Sequence, residues 1–166
     1  MVSSHKFKIG SWVVYPPHGV GRLESIEEFS IDEEKAEFFV ISVSKSKLVL
    51  RLPVQKAEQA GLRHLMSKAD MQNVLDVLLQ KTRKKRTMWS KRSQEYEVKI
   101  NSGDPYAIAG VIRDLHKDGA HNTTQSFSER QIYQLAMERL VRELSIVEKV
   151  AEDEIRKKLE TLLQAA

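Results

Sequence analysis

An α+β fold in two parts, a small antiparallel β-barrel followed by a compact all-α bundle, is what this sequence predicts. Three observations predict it. Up to Pro53 the apolar residues come in short β-branched and aromatic runs separated by Pro, Gly and charged turns, the mark of several short strands. Beyond Ser67 they recur at three- and four-residue steps, the helical period. The whole chain has 166 residues, 41% hydrophobic and 30% charged, an ordinary globular balance that suits two small domains. The change of period falls within residues 55–68, and the domains are expected at 1–63 and 64–166.

The strands follow in order. Trp12–Tyr15 is β-branched and aromatic, and Pro16-Pro17 stops it. Gly19 and Gly21 allow a tight turn or bulge. Arg22–Glu27 alternates polar and apolar, Asp32–Lys35 is a polar turn, and Phe38–Val43 is again strongly β. Ser44–Lys47 turns the chain into Leu48–Leu52, which Pro53 closes. Four or five such strands suggest a barrel of SH3 or Tudor type. Its edge strands would be ready to pair with another chain. Gly19-x-Gly21 lacks the third glycine and the Lys-Ser/Thr of phosphate loops, so its glycines serve the turn.

The helices follow. Ser67 is a good N-cap with Asp70 at N3, and Met66 can staple to Met71. Met71, Val74, Leu75 and Leu78 then share one face. Trp89–Ile100 reads as a second helix ending near Gly103. Asp104 caps a third, with Pro105 at N1, and Gly119 is expected to end it. Ser128 with Gln131 forms a capping box for a fourth, with a staple from Phe127 to Ile132. Glu152–Leu163 is a last helix after a break near Val150.

The composition excludes several chemistries. There is no cysteine, hence no disulfide framework, thiolate metal site or cysteine nucleophile. No apolar run approaches the roughly 20 residues of a membrane helix. Residues 1–6 lack the apolar core of a signal peptide. A soluble cytoplasmic chain is therefore expected. The five histidines are scattered, and His116 and His121 read as two surface histidines at a helix end. The acids of the last helices alternate with Lys and Arg, as in Glu138-Arg139 and Arg142-Glu143, which is a solvated face. Nothing asks for an enzyme, a metal, a cofactor or a small-molecule substrate.

Charge distribution is more informative than the total of +4. Residues 1–52 hold 7 basic and 7 acidic residues, residues 53–101 hold 11 and 5, and residues 102–166 hold 9 and 11. The excess is sharpest over Lys81–Arg92, with seven bases and no acid. Such a run reads as a phosphate-binding patch or as a solvated linker. Trp89 lies inside it. It is either a partly buried anchor for the second helix or an aromatic exposed among cations, able to wedge against bases. Charge and composition leave both readings open.

The order and spacing of several motifs resemble the CarD/CdnL family of bacterial transcription regulators along nearly the whole chain. They are Val13-Val14-Tyr15-Pro16-x-His18-Gly19-Val20-Gly21, Arg51-Leu52-Pro53-Val54, Gly61-Leu62-Arg63, Trp89-Ser90-Lys91-Arg92, Ser102-Gly103-Asp104 and Val111-Ile112-Arg113-Asp114-Leu115. Transcription-repair coupling factor carries a similar N-terminal module, and the helical second domain favours CarD/CdnL.

The resemblance implies an N-terminal Tudor-like domain that binds the β subunit of bacterial RNA polymerase, and a helical domain that contacts promoter DNA at the upstream edge of the transcription bubble. It implies no cofactor and no membrane, and places the protein in the cytoplasm with polymerase at the nucleoid. Trp89 matches the family's minor-groove wedge, and Lys91 and Arg92 its basic neighbours. The run Lys81–Arg86 is more basic than the family pattern, and its Lys85 and Arg86 are expected to compensate by phosphate contact. The polymerase contact carries over to Leu48, Val49, Leu50 and Arg51. Phe29 stands where some relatives have a basic polymerase contact, and Gln94 where some have a basic DNA contact. The competing expectation is a nucleic-acid-binding protein without polymerase contact. The neutral first 52 residues count against it, since nucleic-acid barrels are basic.

Overall fold

The structure is a computed structural model that describes residues 6–43, 47–81, 88–117 and 126–165. It divides into two compact units, Met1–Leu65 and Met66–Ala166.

The first unit is one sheet. Strands β1 (Trp12–Tyr15), β2 (Gly19–Ile31), β3 (Glu34–Val43), β4 (Leu48–Pro53) and β5 (Arg63–His64) lie in the order β4-β3-β2-β1-β5, each pair antiparallel. The sheet is open. β4 and β5 are its two edges, and no ladder among the described residues joins them, so the closed barrel expected from the sequence is not formed. The reason lies in β5, which is two residues long and pairs only at Val13 and Val14. Closure needs a last strand that continues the ladder around the barrel. The chain instead covers the open side with the 3₁₀ turn Val54–Lys56 and the segment after it, which buries Ala57 and Leu62 with Phe7, Val13, Leu23, Phe39 and Ile41.

β2 and β3 are longer than their periodicity suggests. Their pairing runs out to Ile31 opposite Glu34. The polar turn narrows to Asp32 and Glu33, whose φ of 49° and 67° match the two positive values of a type I′ hairpin. Cross-strand pairing thus overrides the poor strand propensity of a Glu-rich segment. Further back, a bulge shifts the register between Leu23 and Ser25. Gly21 is required by close approach: a Cβ there would lie 2.7 Å from Ile41 Cγ2 and 3.0 Å from the Ser42 carbonyl oxygen.

The second unit holds α1 (Lys68–Leu79), α2 (Trp89–Asn101), α3 (Pro105–Lys117), α4 (Phe127–Glu148) and α5 (Glu152–Ala165). Ser67 Oγ accepts the Asp70 N–H at 3.1 Å, and Met66 and Met71 are both buried in the helical core. Asp104 Oδ1 accepts the Tyr106 N–H at 2.9 Å, ahead of Pro105 at N1. The expected end at Gly119 lies outside the described residues.

The start of α4 differs. Ser126, not Ser128, is the cap: its Oγ accepts the Glu129 N–H and donates to Glu129 Oε1, each at 3.2 Å. Two capping boxes overlap in the sequence, and the one whose N3 residue is charged complements the helix dipole. Phe127 is consequently in the first turn and 68% exposed, so it is no staple for Ile132. The break near Val150 is a left-handed Lys149, φ 59°. Leu78, Ile100, Ile112, Leu115, Met137 and Leu159 sit at the centre of the core, each essentially inaccessible to water.

Candidate nucleic-acid and protein interfaces

Three of the five residues expected at DNA stand together in the first turn of α2. Trp89 is half-buried and packs against the helical core. Its indole Nε1–H donates to Ser128 Oγ on α4 at 3.3 Å. The Arg92 guanidinium lies 5.6 Å from the Trp89 ring centre and 5.7 Å from that of Tyr96, and its Nη2 donates to Tyr96 Oη at 3.2 Å. One cation thus sits against two aromatic faces, a favourable arrangement for a guanidinium. Both sequence readings of Trp89 describe part of it, since one portion of the ring anchors the helix and the rest stays accessible. Lys91 is exposed and borders a shallow groove with Gln94, Glu95, Val98 and Lys99. Lys85 and Arg86 lie outside the described residues.

The N-terminus of α2 is suited to an anion. Its first turn holds no acid, and no side chain caps it at Met88. The Lys91 and Arg92 N–H groups bond the Met88 carbonyl, and the positive end of the helix dipole lies beside Lys91.

The expected polymerase residues lie on β4, an edge of the sheet. Strand alternation divides them. Leu50 packs against the sheet core and Leu48 is half-buried, whereas Val49 is 49% exposed and Arg51 is exposed. Arg51 Nε lies 3.6 Å from Glu27 Oε2 on β2.

Sequence reasoning missed Ser128, Tyr96 and Glu27. Tyr96 was within reach, because Arg92 and Tyr96 have the i,i+4 spacing of a helix face. Ser128 and Glu27 meet Trp89 and Arg51 across the fold, and no local pattern marks those contacts.

The second unit also buries polar groups. Glu143, expected on a solvated face, is only 4% exposed and accepts the Met66 N–H at 2.7 Å, because the helical period turns it inward beside Leu144. His116 was expected at the surface and is 8% exposed, with Nδ1 3.2 Å from Tyr133 Oη. It lies on the inner side of α3, where the helical period carries it under α4. Burial pushes the Tyr133 hydroxyl up from 10.0 to about 12, with Glu160 adding to the shift and Arg156 opposing it. Burial also lowers the Arg139 pKa. Among the described residues no three His, Asp or Glu side chains gather as a metal site, and no helix is long and apolar enough to cross a membrane.

Two family descriptions match the chain. Residues 73–160 match CarD, C-terminal domain, and residues 7–66 match CarD-like/TRCF RID domain. A relative in Bacillus subtilis (strain 168), YdeB, whose name describes a candidate transcription factor, is 28% identical over 150 residues, covering 90% of this chain and 97% of the relative.

Proposed function

The chain belongs to the CarD family, and from that premise we propose a transcription regulator that docks on RNA polymerase and stabilises the open promoter. The first unit, Tudor-like in this reading, binds the β subunit through the exposed residues of β4, Arg51 and Val49, over a half-buried base of Leu48 and Leu50. The second unit contacts the upstream edge of the transcription bubble. Trp89 enters the minor groove, Lys91 and Arg92 hold the phosphates, and Lys85 and Arg86 extend that contact. The protein works in the bacterial cytoplasm, at the nucleoid, with no catalytic step of its own.

The observation that carries this reading is the seat of Trp89. An indole packed on a core at one side and accessible at the other, beside an exposed Lys91 and an acid-free helix N-terminus, suits a wedge flanked by phosphates. Tethering to polymerase raises its effective concentration at the fork. The equilibrium moves toward the open state only by the amount that Trp89 prefers the distorted groove to closed duplex. A preference of about 1.4 kcal/mol shifts the ratio tenfold. Base readout is unnecessary, because deformability and shape select the site.

The test is Trp89→Ala in the full chain. Polymerase affinity should be retained while the open complex decays several-fold faster. An unchanged lifetime at a concentration that saturates polymerase removes the wedge role.

A further inference from the structure

The zero net charge of residues 1–52 conceals a strongly acidic projection. Between Glu27 and Glu37 the chain holds Glu27, Glu28, Asp32, Glu33, Glu34 and Glu37 against Lys35 alone, a net charge of −5. This stretch is the outer half of the β2–β3 hairpin. β4 pairs with β3 only from Phe38 to Val43, and β1 pairs with β2 only from Gly19 to Arg22. Residues 27–37 are therefore a two-stranded ribbon that extends past both neighbouring strands.

One face of the ribbon groups large apolar side chains between two acids, Glu27 and Glu34. Phe29 and Ile31 on β2 share a side with Ala36 and Phe38 on β3, as the pairs Phe29–Ala36 and Ile31–Glu34 require. The rings of Phe29 and Phe38 meet edge to face, centres 5.4 Å apart. Phe29 is 40% and Ile31 54% exposed. The same side of the sheet continues to Arg51, which reaches Glu27. Large side chains grouped on an uncovered ribbon mark a contact surface, and the surrounding acids say of what kind. A net −5 repels phosphate backbones. The complementary partner is a protein surface that sets Lys or Arg side chains around an apolar recess.

We infer that this ribbon is a second docking element of the first unit, and that it selects a cationic patch on polymerase separate from the surface that Arg51 meets. The inference rests on the polymerase reading above and adds the chemistry of the surface contacted.

The experiment measures binding of the full chain to purified bacterial RNA polymerase core enzyme across a salt series. Glu34→Lys/Glu37→Lys alters two exposed positions and should weaken binding about tenfold at low salt, with the gap closing as salt screens the charges. Phe29→Ser should weaken binding about threefold or more at every salt concentration, as an apolar contact does. Wild-type affinity in both variants, or tighter binding of the lysine variant, overturns this inference and leaves the polymerase reading standing. No binding by the wild-type chain overturns both.

Discussion

Glu143 shows how one side chain can tie distant parts of a sequence together. It is buried in α4 and accepts the N–H of Met66, 77 positions earlier. Removing it leaves a buried donor unpaired, so Glu143→Ala should destabilise the second unit by about 1–3 kcal/mol. Glu143→Gln, which keeps a carbonyl oxygen, should lose less; urea unfolding of the full chain measures both. Tyr133 makes a different kind of statement. Its pKa is raised from 10.0 to about 12 by burial, so the folded state holds the proton more tightly than the unfolded chain. The stabilisation is complete below pH 10.0 and is lost as pH rises toward about 12. Tyr133→Phe should flatten the alkaline fall in stability across that window, measured by denaturant unfolding at several pH values. At Trp89, the neighbours matter as much as the ring. Arg92 and Tyr96 have the i,i+4 spacing that could have shown them as partners, whereas nothing local points to the Ser128 hydroxyl, because α4 meets α2 only in the folded unit.

Among elements, the helices follow their local chemistry closely. Ser67, Asp104 and Pro105 sit at helix starts as their preferences dictate. The cap of α4 lies two residues before the expected Ser128, because two capping boxes overlap and the charged Glu129 favours the earlier one. Its other end is strained: Lys149 adopts φ 59°, a region that costs a residue with a Cβ roughly 1–2 kcal/mol. Lys149→Gly should therefore raise stability by about 1 kcal/mol, seen as a higher thermal midpoint. The strands were less legible at their ends. Glu-rich residues 27–37 resemble a loop by composition, yet they pair, because a hairpin closed by Asp32 and Glu33 satisfies backbone groups regardless of side-chain type.

Across the whole molecule, charge is divided by unit and then again within the first unit. The proposed division of labour gives polymerase binding to the sheet and DNA contact to α2, and the two functions should separate genetically. Arg51→Glu places a second acid against Glu27 on the proposed docking face. It should abolish association of the full chain with polymerase while DNA binding by the same variant is retained. Undiminished affinity for polymerase would remove β4 from the interface. Segment-wise counting found the basic centre around Trp89 because those charges are contiguous. It missed the acidic ribbon, whose charges are cancelled in the count by bases elsewhere in residues 1–52.

The sequence by itself determined the α+β class, the change of period near Ser67, most of the helix caps and the family motifs, because these rest on local preference and short-range spacing. Tertiary structure decided the rest. It left the sheet open, since a two-residue β5 has no ladder to extend. It buried His116 against Tyr133 and gave the Trp89 indole its Ser128 acceptor. It also raised Phe29 and Ile31 on a projecting acidic ribbon. Each of these depends on which segments meet across the fold, a matter of packing between elements that no local pattern encodes.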